Sequence, residues 1–185
     1  YEFSKSFLEK NGMMAGNIYG SYDHDGWHFG EPDIYPNRDI GLWKKKESYD
    51  NKAIKGEGKD FSDLSLLINI LSIADVEEFK KKVLTIIDME SFVKWRAFET
   101  IINNHHQNSG TNYRIYFDPT KGKFVFFPND TLIHPIKTSG TYTSEVTPFF
   151  VQKIFNNFPD LVYERDRIIF NFIKNDSPYF FSDFD

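Results

Sequence analysis

Residues 103–132 read NNHHQNSGTNYRIYFDPTKGKFVFFPNDTL, and this stretch decides how the fold is interpreted. It begins with polar residues at the end of a helical pattern and continues into two short strand-like segments, 112–117 and 124–127. The Asp-Pro-Thr-Lys-Gly-Lys between them has the composition of a tight turn. The sequence therefore predicts a helix that leads into a β-hairpin spanning residues 112–127.

Three helices are predicted before the hairpin, because apolar residues recur there every three or four positions. The first is expected to begin with a capping Asp60 or Ser62, and the second is expected to be capped by Asp75. The third is expected to be capped by Asp88 and to extend to about Asn104. Its recurring apolar residues are Phe92, Trp95, Phe98 and Ile102.

Two more helices are predicted after the hairpin, one following Thr147-Pro148 and one beginning at Pro159. Residues 1–59 show little periodicity, so we expect short strands, loops and turns there, with the glycines in the turns. Residues 60–175 are expected to be mainly helical around the hairpin. We interpret residues 1–185 as a single domain of the α+β class.

The composition narrows the possible functions. The 185 residues include 20 Phe, 10 Tyr and 3 Trp, enough aromatic area for one sizeable core. A formal net charge of -5 argues against nucleic acid as a partner. The chain has no cysteine and no apolar run of the roughly 20 residues that a membrane span needs. Because it begins Tyr-Glu-Phe without methionine, we expect a fragment or a processed product.

The candidate site residues lie within the quoted stretch. Kinases use a catalytic carboxylate and an asparagine metal ligand that share one loop, followed by an aspartate metal ligand after a hairpin. Gln107 and Asn112 have four residues between them, and Asp130 follows the second predicted strand. This pattern resembles the catalytic and metal-binding loops of the CotH family, which are atypical secreted protein kinases. The stretches that carry the wider resemblance are Ile87-Asp88-Met89-Glu90-Ser91-Phe92, Asn112-Tyr113-Arg114-Ile115-Tyr116 and Phe127-Pro128-Asn129-Asp130.

The resemblance implies an atypical kinase-like fold, of which this chain is a mainly helical C-lobe with a hairpin that carries the metal-binding aspartate. It implies that Asn112 and Asp130 are ligands of Mg²⁺ or Mn²⁺ and that the metal is bound together with ATP. Gln107 stands where the family has its catalytic aspartate, and an amide cannot accept a proton from a hydroxyl. Leu132 replaces a second acidic residue, and the family's smaller lobe is expected before Tyr1. These departures indicate a degenerate member, a pseudokinase.

Two other functions remain open at this point. One is a working Ser/Thr kinase that phosphorylates secreted or coat proteins, since phosphoryl transfer depends mainly on positioning and electrostatics. The other is a cell-surface binding or scaffold module that uses no nucleotide. The resemblance implies an extracellular or cell-envelope location. A zinc site at His105, His106 and His134 is disfavoured, because adjacent helical histidines point about 100° apart.

Overall fold

The computed structural model describes residues 5–21, 43–47, 61–102, 114–128 and 149–176. These residues form an α+β fold in which helices surround a small antiparallel sheet. The helices are α1 (Lys5–Lys10), α2 (Ser62–Leu71), α3 (Val76–Ile86), α4 (Met89–Ile101), α5 (Phe149–Asn157) and α6 (Pro159–Asn175). The strands are β1 (Asn17–Ser21), β2 (Trp43–Glu47), β3 (Arg114–Asp118) and β4 (Lys123–Phe126).

The four strands pair in the order β2-β1-β3-β4, and every pairing is antiparallel. The predicted hairpin is formed by β3 and β4, and each strand extends one residue further into the turn than expected, to Asp118 and Lys123. Its turn is closed by Asp118, whose side chain accepts a hydrogen bond from the amide of Thr120 at 2.9 Å. Gly122 supplies the positive φ of 64° that the turn requires. The turn composition in the sequence therefore predicted the observed conformation.

Helix starts follow the predicted caps in two of three cases. Asp75 accepts a bond from the Glu78 amide at 2.8 Å, and Asp88 accepts one from the Ser91 amide at 3.0 Å. The expected Ser62 cap is wrong, because Ser62 is already helical and the capping position is occupied by Phe61 without a side-chain bond. The alternative cap, Asp60, lies outside the described residues.

The main core lies between one face of the sheet and helices α2 to α5. Phe92 of α4 is fully buried at its centre, and its ring contacts the rings of Trp95, Phe126, Phe150 and Phe155. A smaller cluster on the opposite side joins α1 to the sheet through Leu8, Ile18, Tyr116 and Val125. This separation follows from strand geometry, since successive side chains point to opposite faces.

The inward face of α4 differs from the predicted one at Phe98. Its side chain is 36% exposed, whereas the neighbouring Glu99 is only 2% exposed. Arg96 is also 2% exposed, and its guanidinium lies 5.1 Å from the Trp95 ring centroid. The helix is surrounded on several sides, so residues beside the apolar stripe are buried as well. Apolar periodicity predicted that Phe98 faces the core, whereas the buried residue at this point of the helix is its neighbour Glu99.

Within residues 5–21 and 43–47, β1 and β2 are the short strands expected for residues 1–59, and one helix is present as well. Helix α1 was not predicted, because a helix of six residues offers too little periodicity to detect. Gly12 lies in a turn with φ 64°, as expected. Gly20 is instead within β1, and Gly16 lies in extended chain just before it, so the turn prediction is wrong for both. Gly26 and Gly30 lie outside the described residues.

No helix within the described residues is long and apolar enough to cross a membrane.

Candidate functional site

The predicted site residues Gln107, Asn112 and Asp130 all lie outside the described residues. The same holds for His105, His106 and His134. The structure does describe the elements from which these loops leave. Helix α4 ends at Ile101, β3 begins at Arg114, and residues 127–128 continue from β4. The described frame of the candidate site therefore consists of α4, β3 and β4.

The register of the hairpin determines where the two predicted metal ligands leave it. Ile115 of β3 pairs with Phe126 of β4. Asn112 is three residues before Ile115 in sequence, and Asp130 is four residues after Phe126. In an antiparallel pair the start of one strand lies beside the end of the other. The chain thus enters β3 from Asn112 and leaves β4 toward Asp130 at the same end of the hairpin.

The start of α4 is bonded to the outer edge of β4, the last strand in the sheet order. Ile87 forms a parallel bridge with Phe124, and the Asp88 amide donates to the Phe124 carbonyl at 2.9 Å. The amide of Phe126 donates to the hydroxyl oxygen of Ser91 at 3.2 Å. These bonds supply partners for strand groups that no further strand in the described sheet contacts. They also fix the helix start against the strand that leads toward Asp130.

An ion pair adds a third connection between α4 and the hairpin. Lys121 in the turn donates to Asp88 Oδ2 at 2.9 Å, across 33 positions of sequence. The Asp88 side chain is 17% exposed, whereas that of Lys121 is 55% exposed. Asp88 therefore uses its amide, Oδ1 and Oδ2 on three different partners: Phe124, Ser91 and Lys121.

The pKa values of this pair shift in the directions expected for a stabilising contact. Burial would raise the pKa of Asp88, but the Ser91 amide and the Lys121 ammonium together lower it below the ordinary value of 3.8. The hydrogen bond to Asp88 raises the pKa of Lys121 above 10.5. Both groups are thus charged near neutral pH, and the pair is intact there.

The opposite side of the hairpin is held by the N-terminal region. The Tyr116 hydroxyl donates to the Met14 carbonyl at 2.7 Å, and burial raises the pKa of this tyrosine to about 12. The rings of Phe7 and Phe127 meet edge to face, with centroids 6.1 Å apart. Since Phe127 follows β4 directly, the first residue after the hairpin is packed against α1.

No group of three or more His, Cys, Asp or Glu side chains that could hold a metal occurs within residues 5–21, 43–47, 61–102, 114–128 and 149–176. The oxygen donors of Asn112 and Asp130 suit Mg²⁺ or Mn²⁺, which prefer carboxylate and carbonyl ligands. The chemistry of this donor pair fits a metal–nucleotide complex.

Sequence reasoning predicted that Asp88 caps α4, but not that its side chain also pairs with Lys121. An Asp that directly precedes an apolar helical pattern marks a helix start, and that local signal was sufficient for the cap. The contact with Lys121 depends on how the hairpin packs against the helix, so no local pattern reveals it. The bond from the Phe126 amide to Ser91 was missed for the same reason.

Comparison with known proteins identifies a family for this chain. A family model described as CotH kinase protein matches residues 2–131 of this chain. The matched segment contains α1 to α4, all four strands, and the predicted residues Gln107, Asn112 and Asp130. Helices α5 and α6 lie beyond it. A search of curated proteins found no match.

Proposed function

The chain belongs to the CotH kinase family, and on that premise we propose that it is a degenerate member that binds ATP with Mg²⁺ or Mn²⁺ but lacks efficient phosphoryl transfer. The observation that carries this proposal is the spacing of Gln107, Asn112 and Asp130, which by resemblance corresponds to the family's catalytic aspartate and its two metal ligands, with Gln in place of the aspartate. Kinase-like proteins in general use a nucleotide and a metal, so the family supports the ligand class.

The loss of function is specific to the proton-transfer step. The attacking hydroxyl of a protein substrate is oriented or deprotonated by the catalytic carboxylate. Gln107 can hydrogen-bond to such a hydroxyl, but its amide oxygen is essentially non-basic. Metal binding does not depend on that base. A protein with Gln107, Asn112 and Asp130 is therefore expected to separate nucleotide binding from catalysis.

The described frame supports a shared location for the two metal ligands. Asn112 precedes β3 and Asp130 follows β4 at the same end of the hairpin, as required of two residues that contact one metal–nucleotide complex. The helix that leads into the loop with Gln107 is bonded to the same strand. When bound, the metal would neutralise phosphate charge, and these side chains would hold and orient it.

The family's secreted setting supports an extracellular or cell-envelope location for this chain. It also supports a secreted or coat protein as the binding partner. These assignments belong to the proposal, and the nucleotide experiment below does not depend on them.

The proposal is tested by calorimetric titration of ATP with Mg²⁺ or Mn²⁺ into the full-length protein. An Asn112→Ala/Asp130→Ala variant is measured beside it. A matched control, Asn157→Ala/Asp166→Ala, removes the same residue types from α5 and α6. Metal-dependent binding that the first variant loses and the control keeps is the expected result. Absence of binding in the parent protein would refute the proposal and favour the nucleotide-independent scaffold.

The proposed lack of efficient phosphoryl transfer is tested by Gln107→Asp. If a missing base is the defect, this substitution should raise phosphoryl transfer to a Ser or Thr substrate by roughly 10²- to 10⁴-fold. Autophosphorylation and transfer to casein-like acceptors are followed with labelled ATP, with Gln152→Asp on α5 as the control for an added carboxylate. Strong activity in the unsubstituted protein would contradict the pseudokinase assignment. It would support the alternative of a working kinase.

A further inference from the structure

We propose that the exposed side of α6 is a self-association surface, on which α6 of a second copy of this chain packs in the antiparallel direction. This inference goes beyond the proposed nucleotide binding and does not depend on it. We call the surface the α6 face, and its members are Asp160, Tyr163, Phe170, Ile173 and Lys174.

The three most exposed large apolar side chains among the described residues all lie on the α6 face. Tyr163 is 73% exposed, Phe170 is 62% exposed and Ile173 is 59% exposed. They are separated by seven and three positions, so they follow one side of the helix. A contiguous apolar stripe that is exposed to water is typical of a surface that contacts another protein segment.

The opposite side of α6 already contacts the rest of the fold. Leu161 and Ile168 pack against the main core. The guanidinium of Arg165 lies 5.2 Å from the centroid of the Phe155 ring. No residue of α6 is fully buried, although the helix has 17 residues. The helix therefore has apolar residues on two sides, and the described fold covers one of them.

The charges at the two ends of the α6 face favour a second copy in the antiparallel direction. Asp160 is exposed in the first turn of the helix, and Lys174 is exposed in the last turn. Nearly four turns separate them, so both lie on the side of the apolar stripe. In an antiparallel pair, Asp160 of each copy lies beside Lys174 of the other. A two-fold interface repeats every contact, so this ion pair forms twice.

The middle of α6 is compatible with this arrangement, because its charges are balanced within the helix. Arg167 pairs with Glu164 at 2.5 Å, and Arg165 pairs with Asp166 at 2.8 Å. Antiparallel packing also places the positive end of one helix dipole beside the negative end of the other.

The length of α6 predicts a weak dimer. Its 17 residues extend over about 25 Å. One such helix from each copy buries less than the roughly 1,200–2,000 Å² of a stable interface. We therefore expect a concentration-dependent equilibrium between monomer and dimer.

The test is sedimentation equilibrium of the whole protein without nucleotide, between about 10 μM and about 1 mM, where a weak dimer dissociates. The average mass should rise from 21.8 kDa toward twice that value. Phe170→Ser should weaken association at least about tenfold, because an aromatic side chain is lost from both copies. Leu84→Ser is the matched control, at a side chain 45% exposed on α3, and should associate like the parent. Circular dichroism checks that each variant is folded.

Charge reversal tests the antiparallel direction. Asp160→Lys and Lys174→Asp each place like charges together, so each should weaken association about two- to tenfold at low salt. The double variant Asp160→Lys/Lys174→Asp restores both ion pairs and should associate like the parent. A mixture of the two single variants should form mixed dimers more readily than either variant dimerises alone, because every pair then joins opposite charges.

A mass that rises with concentration, falls with Phe170→Ser and recovers in the double charge variant supports the inference. A parent protein that stays at 21.8 kDa at about 1 mM would overturn it and indicate a different occupant of the α6 face. Association that Phe170→Ser leaves unchanged would locate the interface elsewhere, and single charge reversals without effect would contradict the antiparallel direction. Since no nucleotide is present, each of these failures leaves the proposed function untouched.

Discussion

A methyl group added at Gly16 should separate β1 from β3, although Gly16 is in an ordinary backbone conformation. A Cβ atom there would lie 2.3 Å from the Phe117 carbonyl oxygen, 2.6 Å from a ring carbon of Tyr116 and 2.9 Å from Pro119. The nearest of these is a backbone atom of a paired strand, since Asn17 pairs with Phe117. The clash therefore cannot be relieved by rotating a side chain.

The expected loss of stability in Gly16→Ala follows from how far the chain must move to relieve the short contact. Ordinary contact between such atoms needs about 3.5 Å, so the chain at Gly16 must move by about 1 Å relative to β3. That movement strains the β1–β3 pairing and the bond from the Tyr116 hydroxyl to the Met14 carbonyl. Overpacking of this kind typically costs about 1–3 kcal/mol. Gly16→Ala should reduce the free energy of unfolding by that amount.

The assay is denaturant unfolding followed by circular dichroism, with Gly122 as the matched control. Gly122 has φ 64° and open space around its Cβ position, so its cost on substitution is conformational and not steric. Gly122→Asn should consequently be tolerated better than Gly122→Ala, because Asn adopts the left-handed region more readily. Gly16→Asn should be at least as harmful as Gly16→Ala. A Gly16→Ala protein within about 0.5 kcal/mol of the parent would refute the steric argument.

Three further predictions concern polar contacts, each measured by the free energy of unfolding. Asp88→Asn keeps a capping side chain but removes the charge; since the folded pKa of Asp88 is lowered, its contribution is present above pH 3.8 and is lost as pH falls through the folded value. The variant should be less stable by under about 1 kcal/mol at pH 7, because Lys121 is 55% exposed, and should match the parent in strong acid. Lys153→Met should cost about 1–3 kcal/mol, since the ammonium donates to the carbonyls of Leu71 and Ile73 at 2.8 and 2.5 Å; equal stability would contradict this. Asp63→Ala removes the acceptor of the Tyr19 hydroxyl, so its cost combined with Tyr19→Phe should be less than additive, and strict additivity would argue against the bond.

Features encoded within a few residues were predictable from the sequence. The caps at Asp75 and Asp88 each depend on a side chain and an amide three positions later, so the residue types sufficed. The hairpin turn was equally local, because Asp118 and Gly122 supply its bonds and its positive φ within one turn. These features position the elements that flank the candidate site.

Features that depend on packing between distant segments were not predictable. Phe98 was expected inward, but the surroundings of α4 bury Glu99 and leave Phe98 at 36% exposure. Gly16 was assigned to a turn because its close approach to Phe117 depends on the pairing of β1 with β3. The contact between Asp88 and Lys121 likewise spans 33 positions. The site residues themselves, Gln107, Asn112 and Asp130, stay a prediction from motif spacing and family resemblance.

The contacts that hold α4 against β4 are made by other residues than the one proposed to determine catalysis. The bonds that hold α4 against β4 come from backbone groups and from Asp88, Ser91 and Lys121. Among them, none involves position 107. We therefore expect Gln107→Asp to leave this frame intact, so that a change in phosphoryl transfer in that variant would report the added carboxylate and not a change of fold.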